Sequence, residues 1–268
     1  MGNKNQYPKP KTRQSLNIHR LLAVLALFMG AGLLVIFTNL SSSAVIQTTS
    51  ISPSSHPLPP TLAQWQDHTN TGDYFSQVEK TQIGYLVWSQ FPVKVYVEIP
   101  QAASNTQAQA WFSSVLETVQ EWSAYLPLVV VEKADIADIT ILRKAPPLQF
   151  SRDGNFPRAR SAQATYELDN SNNILSHRFT ILLSPTQTGM FLKAASRHEL
   201  GHALGIWGHS DLPTDALYFS QVRNPPPISP RDVNTLKRVY EQPTSLGWSV
   251  DIAHKKVGTF QRKSLQGF

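Results

Sequence analysis

The sequence predicts an α/β domain behind an N-terminal transmembrane helix. Three observations lead there: short β-branched runs separated by one long amphipathic helix, a charge-free apolar run preceded only by basic residues, and a closing stretch that starts like a helix. The 268 residues suffice for one ordinary core plus extensions, and 41% hydrophobic with 16% charged residues is a globular composition. Cysteine is absent, which excludes a disulfide scaffold, a thiol nucleophile and thiolate metal sites. A metal would have to be held by His, Asp or Glu.

Taken in order, residues 1–20 carry Lys4, Lys9, Lys11, Arg13 and Arg20 with no acid, a basic N-terminus expected to stay in the cytoplasm. The run LLAVLALFMGAGLLVIF at 21–37 is charge-free, and with its flank to Leu40 it reaches the ~20 residues a bilayer core requires. A single-pass anchor over 21–40 would leave everything beyond it extracytoplasmic, in a periplasm or at a cell surface. A cleaved signal peptide is the competing reading, because Ser42-Ser43-Ala44 fits a small-x-small cleavage site. Residues 41–80 begin Ser-, Thr- and Pro-rich and show no periodicity, as expected of a linker.

The domain is then expected over 81–245. Val93, Val95, Val97 and Ile99 alternate as in a strand with one buried face. Within 108–125, Trp111, Val115, Val119 and Trp122 fall on one face of a helix. Leu128–Val131, Ile136–Leu142 and Phe179–Leu183 read as further short strands. Ser229-Pro230 supplies an N-cap hydroxyl and a first-turn proline, and Val233, Leu236 and Tyr240 share the face of the helix that follows. Residues 246–268 read as a basic tail. Net charge is +6, but 1–20 hold +5 and 251–268 hold +3, leaving −2 for the 230 residues between. The folded part therefore lacks a phosphate-binding character, and nucleic acid is not an expected partner. No feature specifies an oligomeric state.

The chemistry is concentrated in Arg197-His198-Glu199-Leu200-Gly201-His202-Ala203-Leu204-Gly205-Ile206-Trp207-Gly208-His209. On a helix, His198 and His202 project from the same face and can reach one metal ion. Thr188 is a candidate cap for that helix. Imidazole suits zinc, and a catalytic zinc keeps three protein ligands and an open position. Glu199 lies beside the ligands and can act as general base. With 8 histidines in the chain, a chance match to His-Glu-x-x-His is on the order of 0.7%. Gly205 stands where a helix ends in a left-handed turn, and His209 follows on the returning chain, with Asp211 as the substitute third ligand. His177, in an expected strand, reads as structural, as does Trp207 packed over the turn. His19, His56, His68 and His254 read as solvated.

HELGHALGIWGH resembles the zinc signature of the metzincin metalloproteases, particularly bacterial matrixin-like members, and the resemblance is strongest over 179–240. It implies a twisted mixed sheet with an active-site helix and a C-terminal helix, one zinc ion, Glu199 as general base, and peptide hydrolysis beside an edge strand. Two features depart from the family pattern. Its spacing places the third histidine at position 208, which here is Gly208, one residue before His209. Its methionine turn corresponds to Asp215-Ala216-Leu217-Tyr218, with Leu217 in place of Met. Tyr218 is a candidate oxyanion stabiliser, as in some relatives. The expectation is a membrane-anchored zinc endopeptidase acting on protein or peptide substrates. An anchored, non-catalytic binding protein with the same fold is the alternative, and a metal-dependent hydrolase of another substrate is a third.

Overall fold

A computed structural model describes residues 53–101, 104–150, 157–170, 172–249 and 263–264. Strands β1 (Val93–Val97), β2 (Leu128–Val131), β3 (Ile139–Arg143), β6 (Ala162–Asp169) and β7 (Ser176–Leu183) form the main sheet, while β4 (Gln149–Phe150) and β5 (Pro157–Arg158) make a separate hairpin. The spatial order is β2-β1-β3-β7-β6, and a two-residue strand, β8 (Lys263–Ser264), lies beyond β6. β2, β1, β3 and β7 are parallel, with Val95 opposite Ile139 and Ile139 opposite Phe179. β6 runs antiparallel to β7 and sets Ala164 opposite Ile181.

Among the described residues four α-helices accompany the sheet: α1 (Pro60–Gln64), α2 (Asn105–Ser123), α3 (Gly189–Ala203) and α4 (Pro230–Tyr240). Inward residues of the strands (Val93, Val95, Val97, Ile139, Ile141, Phe179, Ile181, Leu183) are buried, each contributing ~1.5–3 kcal/mol by leaving water. α2 buries Trp111, Val115, Val119 and Trp122, the face expected from their spacing. It packs beside α3, where the Trp122 indole donates to Arg197 O at 2.9 Å and Thr118 and Ser196 hydroxyls meet at 2.7 Å. α3 is buried on nearly every side from Ala195 to Ala203, so its residues are dictated by neighbours rather than by helix propensity. Thr188 is its N-cap residue, but the hydroxyl makes no capping hydrogen bond. Ser229 caps α4 in a reciprocal capping box with Asp232.

The domain starts well before residue 81. Leu62, Tyr74 and Val78 are buried, the Trp65 indole donates to Asn234 Oδ1 at 2.9 Å, and Lys237 Nζ donates to Trp65 O at 2.9 Å. Residues 54–80 are thus a strap across α4 rather than a linker. The far boundary also shifts past 245, because Leu246 is buried and Gly247 N–H donates to Leu175 O at 2.7 Å. His56 is not a solvated residue: it stacks on Trp248 at 4.5 Å and bonds Leu246 O at 2.7 Å, whereas His68 is exposed. Among the described residues no helix is long and apolar enough to cross a membrane, and the expected span at 21–40, like His19 and His254, lies outside them.

Candidate metal centre

α3 carries His198 and His202 one turn apart, with ring centroids 4.6 Å from each other. After Leu204 the chain reverses at Gly205, whose φ of +133° suits glycine alone. The reversal is a Schellman motif: Gly205 N–H donates to His202 O at 3.1 Å, and Ile206 N–H donates to Gly201 O at 3.0 Å. It brings the His209 ring to 5.2 Å from His198 and 4.8 Å from His202. One ligand nitrogen from each of the three histidines lies within 4.8 Å of the others, close enough to hold a metal ion. Asp211 is exposed and outside this group.

Hydrogen bonding sets the tautomers. His198 Nδ1 faces Ala216 O at 3.0 Å and His202 Nδ1 faces Ile206 O at 2.7 Å. A carbonyl only accepts, so both Nδ1 atoms carry protons and both Nε2 atoms present lone pairs. Those Nε2 atoms are 3.0 Å apart, and buried His209 Nε2 has no hydrogen-bond partner. Two nitrogens on one tetrahedral zinc at ~2.0–2.1 Å are roughly 3.3 Å apart. Burial pushes His198 down to about 3 and His209 to about 4, and burial with the neighbouring imidazoles holds His202 well below its ordinary value. All three are neutral at pH 7, as ligands must be.

Glu199, next to the first ligand, is 2% exposed. Its carboxylate accepts the Ala164 N–H of β6, and Arg160 lies near enough to favour its charge. Burial outweighs both and pushes the group up to about 8. Trp207 packs edge-on to Tyr166 at 5.2 Å and roofs the turn. His177 is buried in β7 and stacks on Trp88 at 4.0 Å, away from the three histidines' cluster.

Two features of the floor escaped the sequence reading. Asp232 Oδ2 accepts the N–H groups of Ala216 at 2.9 Å and Ser229 at 2.7 Å, while Oδ1 accepts the Tyr74 hydroxyl at 2.5 Å. Asp215 accepts from Ser210 Oγ, Ser229 Oγ and Arg231 Nε. Together they hold the 210–217 loop so that Ala216 O meets His198. The only sequence signal for Asp232 is its place three residues after the Ser229 cap. Leu217 fills the position under the helix: it is fully buried, and its Cδ2 lies 2.6 Å from where a Cβ on Gly201 would stand. Tyr218 packs on Phe219 and lines a small pocket with Ala194, Arg197, Asp215 and Pro226, a pocket that none of the three histidines lines.

The residue before His209 is packed too closely to carry a side chain. Backbone at Gln77–Glu79 runs against the returning chain, with Val78 bridged to Gly208 and Glu79 N–H donating to Trp207 O at 2.9 Å. A Cβ at position 208 would stand 2.1 Å from Gln77 O. A side chain at 208 would force residues 77–78 to move, and the ring that joins His198 and His202 comes from 209. Searches of protein-family models and of curated proteins return no match to this chain.

Proposed function

We propose that this chain is a zinc-dependent endopeptidase of the metzincin type, anchored by residues 21–40 and acting outside the cytoplasm. The observation that carries the reading is the convergence of three neutral imidazoles, two with Nε2 atoms 3.0 Å apart, beside a buried carboxylate. His198, His202 and His209 would hold the ion. When bound, zinc supplies Lewis acidity toward a carbonyl and lowers the pKa of a water. Glu199, oriented by the Ala164 N–H, accepts the proton of the attacking water and delivers it to the leaving amine. β6 offers main-chain groups beside Glu199 on which an extended peptide can align.

The test uses the full chain in detergent with an unfolded protein substrate. Cleavage is expected, with loss on chelation and restoration by zinc. Glu199→Gln should lower turnover by at least ~10²-fold while retaining one ion per chain. Equal turnover in Glu199→Gln would refute the mechanism. Metal retention with no cleavage of any peptide by the parent would favour the anchored binding protein instead.

A further inference from the structure

β6 is the strand nearest the candidate catalytic carboxylate, since the Ala164 N–H donates to Glu199. One side of β6 pairs with β7, and the other is the side on which an added strand would lie. That side is already taken by the chain itself. β8 pairs antiparallel with β6, setting Ser264 opposite Thr165 and Lys263 opposite Tyr166, directly after Ala164. The charges are complementary along the sequence: β6 contains Glu167 and Asp169, and the incoming segment contains Arg262 and Lys263. Among the described residues the pairing covers two residues, short beside ordinary strands of about 3–10.

We propose that the segment carrying Lys263–Ser264 is an internal competitor for the peptide-binding edge of β6, which lowers activity until substrate displaces it. The inference rests on the endopeptidase reading for what is displaced, but the pairing itself is testable without catalysis. Tethering gives such a segment an effective concentration in the millimolar range, enough to compete with dilute, weakly bound peptides.

The chain has no cysteine, so Thr165→Cys with Ser264→Cys introduces the only two thiols. Directly opposed residues on antiparallel strands lie within reach of a disulfide. Air oxidation of the full chain should consume both thiols. The locked form should lose at least about tenfold in turnover of an unfolded substrate and in binding of a fluorescent peptide, and reduction should restore both. Thiols that stay free under oxidation would overturn the proposal, as would a locked form that binds peptide as well as the reduced one. A reduced form that binds peptide without cleaving it would refute the endopeptidase reading and leave the occupancy of β6 standing. Should the double variant not fold, deletion of 258–268 provides the second measure: kcat/KM or peptide affinity should rise severalfold, and no change would overturn the proposal.

Discussion

Replacing Asp232 should damage the fold and the metal site together, through separable routes. The side chain is fully buried and accepts from the Tyr74 hydroxyl and the Ala216 and Ser229 amides, with the Leu217 amide at 3.4 Å. Asp232→Ala strands these donors. A buried donor without a partner costs ~1–3 kcal/mol, but Ala216 and Ser229 are only half-buried and regain some water, so the sum is about 3–5 kcal/mol. That is a large fraction of the 5–15 kcal/mol typical of a folded domain. Asp232→Asn keeps the shape and one acceptor oxygen, and should cost only ~1–2 kcal/mol. The second route runs through Ala216, whose carbonyl fixes the His198 tautomer. A lost outer partner of a metal-bound histidine typically costs 10–100-fold in affinity, so Asp232→Ala should weaken metal binding by about that factor. Urea unfolding in chelator measures the first effect, and competition with a chromophoric chelator measures the second. An Ala variant within ~1 kcal/mol of the parent would refute the burial argument. An Ala variant that loses stability but binds metal normally would refute the link through Ala216.

Three further outcomes are expected. His209→Ala should lose most bound metal while Asp211→Ala keeps about one ion per chain, because only the former belongs to the converging group; metal analysis showing the reverse would refute the ligand assignment. The metal-free chain should lose stability on acidification. Burial depresses His177 and His198 to about 3 and His209 to about 4, so below pH ~6.5 the unfolded chain binds protons that the native chain rejects. Below pH ~6.5 stability falls by up to ~1.4 kcal/mol per pH unit for each histidine, offset by one such contribution from Glu199, which burial pushes up to about 8 so that the native chain takes up its proton first; denaturation midpoints in chelator that do not fall between pH 6.5 and 5 would contradict this. Gly201→Ala should destabilise by ~1–2 kcal/mol net, the clash with Leu217 exceeding the ~1 kcal/mol gain in helix propensity, and a raised melting temperature would count against it.

What could be read from the sequence follows the strength of each physical signal. α2 and α4 were legible because large apolar residues recur at helical spacing and, for α4, because Ser229-Pro230 marks its start. The histidine pair was legible because a helix turns a spacing of four into a shared face. β6 was not legible: its inward residues include Ala162 and Ala164, too small to stand out from their polar neighbours as an alternating pattern. The strap reads as a linker in sequence because Leu62, Tyr74 and Val78 are scattered among polar residues and follow a Ser/Pro-rich stretch, so no period betrays that they are buried. Likewise Asp232 was hidden behind its capping role, since a cap and a loop clamp look identical in sequence.

The strap lying against Gly208 couples His209, one of the three histidines able to hold a metal, to residues 77–79. Seating the strap narrows where residue 209 can go, and an ion gripping His209 in turn narrows where the strap can go. Whatever free energy one event lends the other must be returned in equal measure. Chelation should therefore be sensed as faster hydrogen exchange at Glu79, whose amide is bonded to Trp207 O. Proteolytic nicking between Asp67 and Asp73 should be sensed as faster metal release. The strap would thus act as a second handle on a metal held by the three histidines, operated from the N-terminal part of the domain.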